Sequence, residues 1–163
     1  MAEWKMPVFD RTMDDVKSVD RTSADYQKGT LNADDLNRIE GNFAYLEEKL
    51  RGDAIFIPHV VRNYEETTLN ADGTQTKTTY TDWREHNLPW LSEINRIRAN
   101  YNALVRLFLV GLGLPVLAES NYLDYVEVND WERIAEVGKT MFENMEKEYR
   151  YCGMEESGGD RLL

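Results

Sequence analysis

From Leu36 onward, apolar residues fall at Leu36, Ile39, Phe43, Leu46 and Leu50, in alternating steps of three and four. That spacing draws one narrow stripe along a helix of 3.6 residues per turn. Arg38, Glu40, Glu47, Glu48 and Lys49 take the other faces. Asn32 is placed to cap this helix, Asp34 and Asp35 suit its positive end, and Gly52 is expected to stop it. The same stripe returns at Ile94, Ile97, Tyr101, Leu104 and Phe108, with Ser92 as cap and Gly111-Leu112-Gly113-Leu114-Pro115 as terminator. A third stripe runs through Trp131, Ile134, Gly138, Met141 and Met145. Asn129 followed by Glu132 predicts its capping-box start, after an extended stretch from Tyr122 to Val128. Gly138 stands where the other stripes carry an aromatic, which implies a close helix crossing.

Between Ala54 and Trp83 the period changes. Pro58 forbids helix around it. Val60 to Leu69 and Thr74 to Trp83 are rich in β-branched and aromatic residues, and Asn70-Ala71-Asp72-Gly73 between them is a turn signal. A β-hairpin with polar sides is predicted, which cannot bury enough to stand alone. In the first 30 residues, Thr12 or Asp10 caps a short helix reaching Val19, and Ser23 caps another ending before Gly29.

The helices share more than a period. Leu36-Asn37-Arg38-Ile39-Glu40-Gly41-Asn42-Phe43-Ala44-Tyr45-Leu46 and Ile94-Asn95-Arg96-Ile97-Arg98-Ala99-Asn100-Tyr101-Asn102-Ala103-Leu104 agree at five of eleven positions. Trp131-Glu132-Arg133-Ile134, ending at Met141, is a looser copy without the asparagines. The copies start at unequal intervals, which excludes a solenoid of fixed period. The expected fold is mainly α: a small bundle of three main helices with an inserted β-hairpin arm. Residues 1–30 form an N-terminal arm, 31–152 the bundle with its insertion at about 54–83, and 153–163 a flexible tail. The packing core is Leu36, Ile39, Phe43, Leu46, Ile94, Ile97, Tyr101, Leu104, Trp131, Ile134 and Met141. Arg38, Arg96 and Arg133 recur just before a core position and are expected to fix helix register by pairing across to neighbouring elements. Asn37, Asn42, Asn95 and Asn100 are expected to hydrogen-bond adjacent loops. Trp4, Phe9, Tyr64 and Tyr80 are read as assembly contacts.

The chain of 163 residues carries 30 acidic and 19 basic side chains, a net charge of −11. Nucleic-acid binding requires a positive face to displace counterions, and anionic lipid selects against the same charge, so neither partner is expected. The most apolar run, Leu104 to Leu117, contains Arg106 and is broken by glycines and a proline. A membrane span needs about 20 uninterrupted apolar residues. Cys152 is the one cysteine. It excludes an internal disulfide and a cysteine-rich zinc site, and it suits assembly in a reducing cytoplasm. His59 and His86 lack metal-ligand spacing, and no phosphate loop or nucleophile elbow appears. The pairs Asp14/Asp15, Glu47/Glu48 and Glu65/Glu66 are neighbours in sequence, and on a helix such neighbours point about 100° apart. No cofactor, metal or catalytic residue is expected.

The string Leu31-Asn32-Ala33-Asp34-Asp35-Leu36-Asn37-Arg38-Ile39-Glu40-Gly41-Asn42-Phe43-Ala44-Tyr45-Leu46 resembles a module of phage and prophage proteins of Gram-positive bacteria. Those are small tail, baseplate or fibre-associated virion components that repeat an Asn-Arg-Ile-Glu helix. The likeness covers Thr30 to Leu50 well, Leu88 to Leu104 moderately and Val126 to Met145 loosely. It implies a non-enzymatic virion structural protein of the tail tip, baseplate or fibre-attachment region. Such a part is assembled in the host cytoplasm with other virion proteins, as a homo-oligomer of a symmetric assembly. The alternative is a phage-encoded acidic regulatory protein that binds a host factor.

Overall fold

The computed structural model describes residues 2–85 and 89–156. Within them the chain is mainly helical, with five helices, two of them short and N-terminal to the three long ones, and one antiparallel hairpin. Two short helices, α1 (Met13–Lys17) and α2 (Ala24–Gly29), precede the long α3 (Ala33–Gly52). The strands β1 (Tyr64–Leu69) and β2 (Gln75–Tyr80) follow, then α4 (Leu91–Leu107) and α5 (Tyr125–Glu156).

Helix α3 starts where its capping pattern says. Asp35 N–H donates to the Asn32 side chain at 3.0 Å, and Asn32 N–H donates back to the Asp35 carboxylate at 3.2 Å. Its end differs from expectation, because Gly52 is still helical and Ala54 takes the left-handed conformation, φ +61°. Ile55 N–H reaches back to Leu50 O at 2.8 Å and Ala54 N–H to Arg51 O at 3.1 Å. Those two bonds make a Schellman motif whose left-handed position is normally glycine. Ala54→Gly should therefore raise stability by up to ~1 kcal/mol, with relief of left-handed strain partly offset by a freer unfolded chain. An unchanged or lower denaturation midpoint would refute that account.

The other helix starts move. Helix α4 begins after extended Trp90 without a side-chain cap, which leaves Ser92 inside its first turn. Helix α5 begins at Tyr125, where the Asp124 carboxylate accepts from Glu127 N–H at 2.9 Å. Of the stretch expected to be extended from Tyr122 to Val128, the part from Tyr125 onward is thus already helical, and Asn129 lies within the helix. Helix α5 also runs past Gly153 to Glu156. The rest of the expected tail, 157–163, and His86 lie outside the described residues.

Helices α3, α4 and α5 pack on one another around a single core. Leu36, Ile39, Phe43, Leu46, Ile94, Ile97, Tyr101, Leu104, Trp131 and Ile134 are all buried there. Met141 is not: it is 37 % exposed, while Ala135 and Phe142 are buried. A straight helix of 3.6 residues per turn drifts from a repeat of 3.5, so the buried stripe of α5 passes through Gly138 to Phe142. At Gly138 a Cβ would stand 3.0 Å from Leu46 Cδ1 and 3.6 Å from Leu104 Cδ2. The crossing of α5 over both repeat helices is that close. Connectors complete the core with Ile57, Trp83, Leu109 and Leu117.

The hairpin is shorter than the 54–83 insertion. Its register runs from Tyr64 opposite Tyr80 to Leu69 opposite Gln75, closed by a turn in which Gly73 has φ +81°. Apart from half-buried Tyr64, Thr78 and Tyr80, every strand residue is exposed. Both faces of the ribbon meet solvent, and among the described residues each strand has one outer edge without a partner strand.

Candidate functional site

The repeated arginines have three different fates. Arg38 on α3 reaches Glu132 on α5 through Nε at 3.2 Å and Nη2 at 2.6 Å, and Asp35 at 2.5 Å. Arg11 from the N-terminal arm joins the same carboxylates at 3.1 and 3.3 Å, and Glu132 also accepts from Val8 N–H at 2.8 Å. This cluster ties the arm, α3 and α5 at one point. Arg96 on α4 forks onto Glu40 of α3 at 2.7 and 2.9 Å and also donates to Glu93 and Val60 O. Burial works against the charge of Arg38 and Arg96, but the facing carboxylates outweigh it and raise both pKa values. Arg133 departs from the expected role, because it is exposed. In the third copy, the inward position of the turn belongs to Glu132, which supplies the acid to the Arg38 of the first.

Arg98, which the sequence pattern did not single out, is the most fully engaged cation. It is buried and donates to both oxygens of Glu127, to Asn95, to Ser120 O and Oγ, and to Tyr122 O. It fastens the loop between α4 and α5. Its place in the repeat is that of Glu40, so the copies use opposite charges at one position for the same purpose. Only the neighbouring elements could reveal that.

The asparagines form a second, uniform system. Asn42 accepts from Lys5 N–H at 2.9 Å and donates to Lys5 O at 2.8 Å. Asn100 does the same to Val60 at 2.9 and 3.0 Å, and Asn37 to Trp83 at 2.7 and 2.9 Å. Asn102 clamps Leu117 at 2.8 and 2.8 Å, and Asn129 clamps Arg11 at 3.1 and 2.8 Å. A side-chain amide can turn its carbonyl oxygen and one of its N–H groups to the same residue, the acceptor–donor pair that a neighbouring β-strand would offer. Each clamp thus holds one residue of an extended connector against a helix, as a single rung of a ladder. Asn37, Asn42 and Asn100 bind loops in the way their place in the repeat suggested, whereas Asn95 serves Arg98. Asn102 and Asn129 were not foreseen. The signal for Asn129 was masked by its resemblance to a helix cap.

Removing a clamp leaves a backbone donor and acceptor unmatched beside a buried helix face. Asn42→Ala and Asn100→Ala should each cost about 1–2 kcal/mol. Amide exchange should accelerate at Lys5 in the first variant and at Val60 in the second. Uniform acceleration across the whole chain would contradict a local clamp.

The residues read as assembly contacts divide. Trp4 is used within the chain: its ring meets Tyr45 edge-on at 5.6 Å, and Lys139 Nζ lies 5.5 Å above it. Phe9 is 40 % exposed. Tyr64 and Tyr80 face each other at the base of the ribbon, under the guanidinium groups of Arg62 and Arg84 respectively. Arg62 also lies over Trp83 at 4.2 Å, so the base of the ribbon is stacked onto the core.

Asp15 is buried in the α1 capping box while Asp14 is exposed, and Glu65 and Glu66 lie in water on β1. His59 packs on Phe43 at 4.8 Å, and burial pushes its pKa below the ordinary histidine value despite the nearby Glu47 carboxylate. Among the described residues, no three His, Cys, Asp or Glu side chains converge as a metal site would require. Among the same residues, no helix is long and apolar enough to cross a membrane. Compared with known proteins, the chain matches no family model, no curated protein and no solved structure.

Proposed function

We propose that this chain is a non-enzymatic structural component of a phage particle, of the tail tip, baseplate or fibre-attachment region. The bundle serves as a rigid hub and the β-ribbon as an arm that adds to a neighbouring subunit. The observation that carries the reading is the ribbon itself. A two-stranded sheet with both faces in water is marginal when alone, and its open edges are templates for a further strand. Its base is nonetheless fastened by Arg62, Trp83 and the Asn37 clamp. A fixed base under an uncovered ribbon suits an element completed by another chain. The internal use of charge also supports the reading, since the most buried ionic groups are spent on joining elements. Repetition in cyclic symmetry follows for such a part.

The test is direct. Mass spectrometry of purified particles should find this polypeptide in whole-number proportion to other virion proteins. A chain with residues 64–80 replaced by a short Gly-Ser linker should keep its helical circular dichroism but fail to enter particles. Absence of the intact chain from particles sinks the proposal and leaves the host-factor reading standing.

A further inference from the structure

The turn that closes the ribbon holds a labile peptide bond. Asp72 is followed by Gly73, and no other aspartate or asparagine in the chain precedes a glycine. The peptide nitrogen after an aspartate can attack that residue's own side-chain carboxyl carbon, and a Cβ on the following residue obstructs the approach. Asp72 and Gly73 are both exposed, and Gly73 holds φ +81° with open space where a Cβ would stand. The hydrogen bonds of the turn oppose the attack. Asp72 Oδ1 accepts from Thr74 N–H at 3.0 Å and from the Thr74 hydroxyl at 2.6 Å. Gly73 N–H donates to Asn70 O at 3.0 Å. The Thr74 bonds, hydroxyl first and backbone second, also lower the Asp72 pKa, because they favour the charged carboxylate.

We propose that Asp72–Gly73 is a site of spontaneous isoaspartate formation, and that the Thr74 hydroxyl restrains it while the ribbon is folded. In the reaction the Gly73 nitrogen bonds to Cγ of Asp72. The C–OH bond of the neutral carboxylic acid breaks, and the hydroxyl leaves as water with the proton from that nitrogen. The cyclic succinimide then takes up one water. Opening at the former backbone carbonyl carbon leaves the chain running through Cβ and Cγ, with no net change in composition. An ionised carboxylate offers no such leaving group. Thr74 thus acts twice, by favouring the charged form and by turning Oδ1 towards its own N–H and hydroxyl. The product adds one methylene to the backbone between Leu69 and Gln75, the pair that closes the ladder.

Ageing of the purified full chain at mildly acidic pH, with isoaspartate located in peptide digests by electron-transfer fragmentation, tests this. The urea-unfolded chain should accumulate isoaspartate at Asp72 severalfold faster than the folded chain. Folded Thr74→Val keeps the shape and the N–H bond but loses the hydroxyl, and should also be severalfold faster than the native sequence. Thr74→Ser restores the hydroxyl and should return to the slow rate. The Asn70 side-chain amide donates to the hydroxyls of both Thr74 and Thr76 at 2.9 Å. Thr76→Val removes one of those acceptors, leaves both bonds to Asp72 in place, and should stay slow. That control separates loss of the Thr74 bond from general fraying of the ribbon. Three results would overturn the inference: no isoaspartate at Asp72 in the unfolded chain, equal rates folded and unfolded, or a Thr74→Val rate no higher than that of Thr76→Val.

Discussion

Glu132→Ala should destabilise the chain by about 3–5 kcal/mol, the range expected when one partner of a buried ion pair is removed. The Glu132 side chain is fully buried, and the Arg11 side chain is only 2 % exposed. Without Glu132, two guanidinium groups share the single carboxylate of Asp35, and Val8 N–H loses its acceptor. The damage should also have a direction. Arg11 and Val8 belong to the N-terminal arm, so amide exchange should rise first at Val8 and Arg11, before global unfolding. Glu132→Gln keeps the shape and most acceptor capacity but loses the charge, and should fall between the two proteins. A cost below about 1 kcal/mol for the alanine variant would show that the cluster breaks even against solvation and ties nothing.

Trp131→Ala should cost a similar amount, about 3–5 kcal/mol, for a different reason. Trp131 is completely buried, and its removal leaves a cavity where α5 packs against α3 and α4. Its indole N–H has no hydrogen-bond partner among the described residues. Trp131→Phe removes that unmatched donor and only part of the ring, so it should cost far less than alanine. Arg133→Ala, two residues along on the exposed side, should change stability by no more than about 0.5 kcal/mol. Chemical denaturation of the three variants separates these outcomes. Equal losses at Trp131 and Arg133 would mean that α5 faces the bundle differently from the structure.

These contrasts define how much was legible beforehand. The three stripes, the Asn32 cap and the hairpin turn are local, written in side chains within a few residues of one another. Helix periodicity and capping depend on such short separations, so they survive without tertiary information. The loop-binding role of Asn37, Asn42 and Asn100 followed from polar residues recurring at fixed places beside a buried stripe. Met141 misled because a repeat of three and four extrapolates poorly over a long helix. Asn129 misled because a cap and a clamp use the same residue type.

By itself, the amino-acid sequence determined the helical body, the polar hairpin and which face of each repeat helix turns inward. Those features come from propensity and periodicity along a contiguous stretch. Only the tertiary structure decided which carboxylate each arginine meets, which connector each asparagine holds, and that the third copy contributes the acid Glu132, at the place of Asn37 and Asn95, while its own Arg133 faces outward. Such pairings join residues far apart in the chain, as Arg11 and Glu132 are. They are chosen by burial, where an unmatched charge or amide is too costly to leave alone.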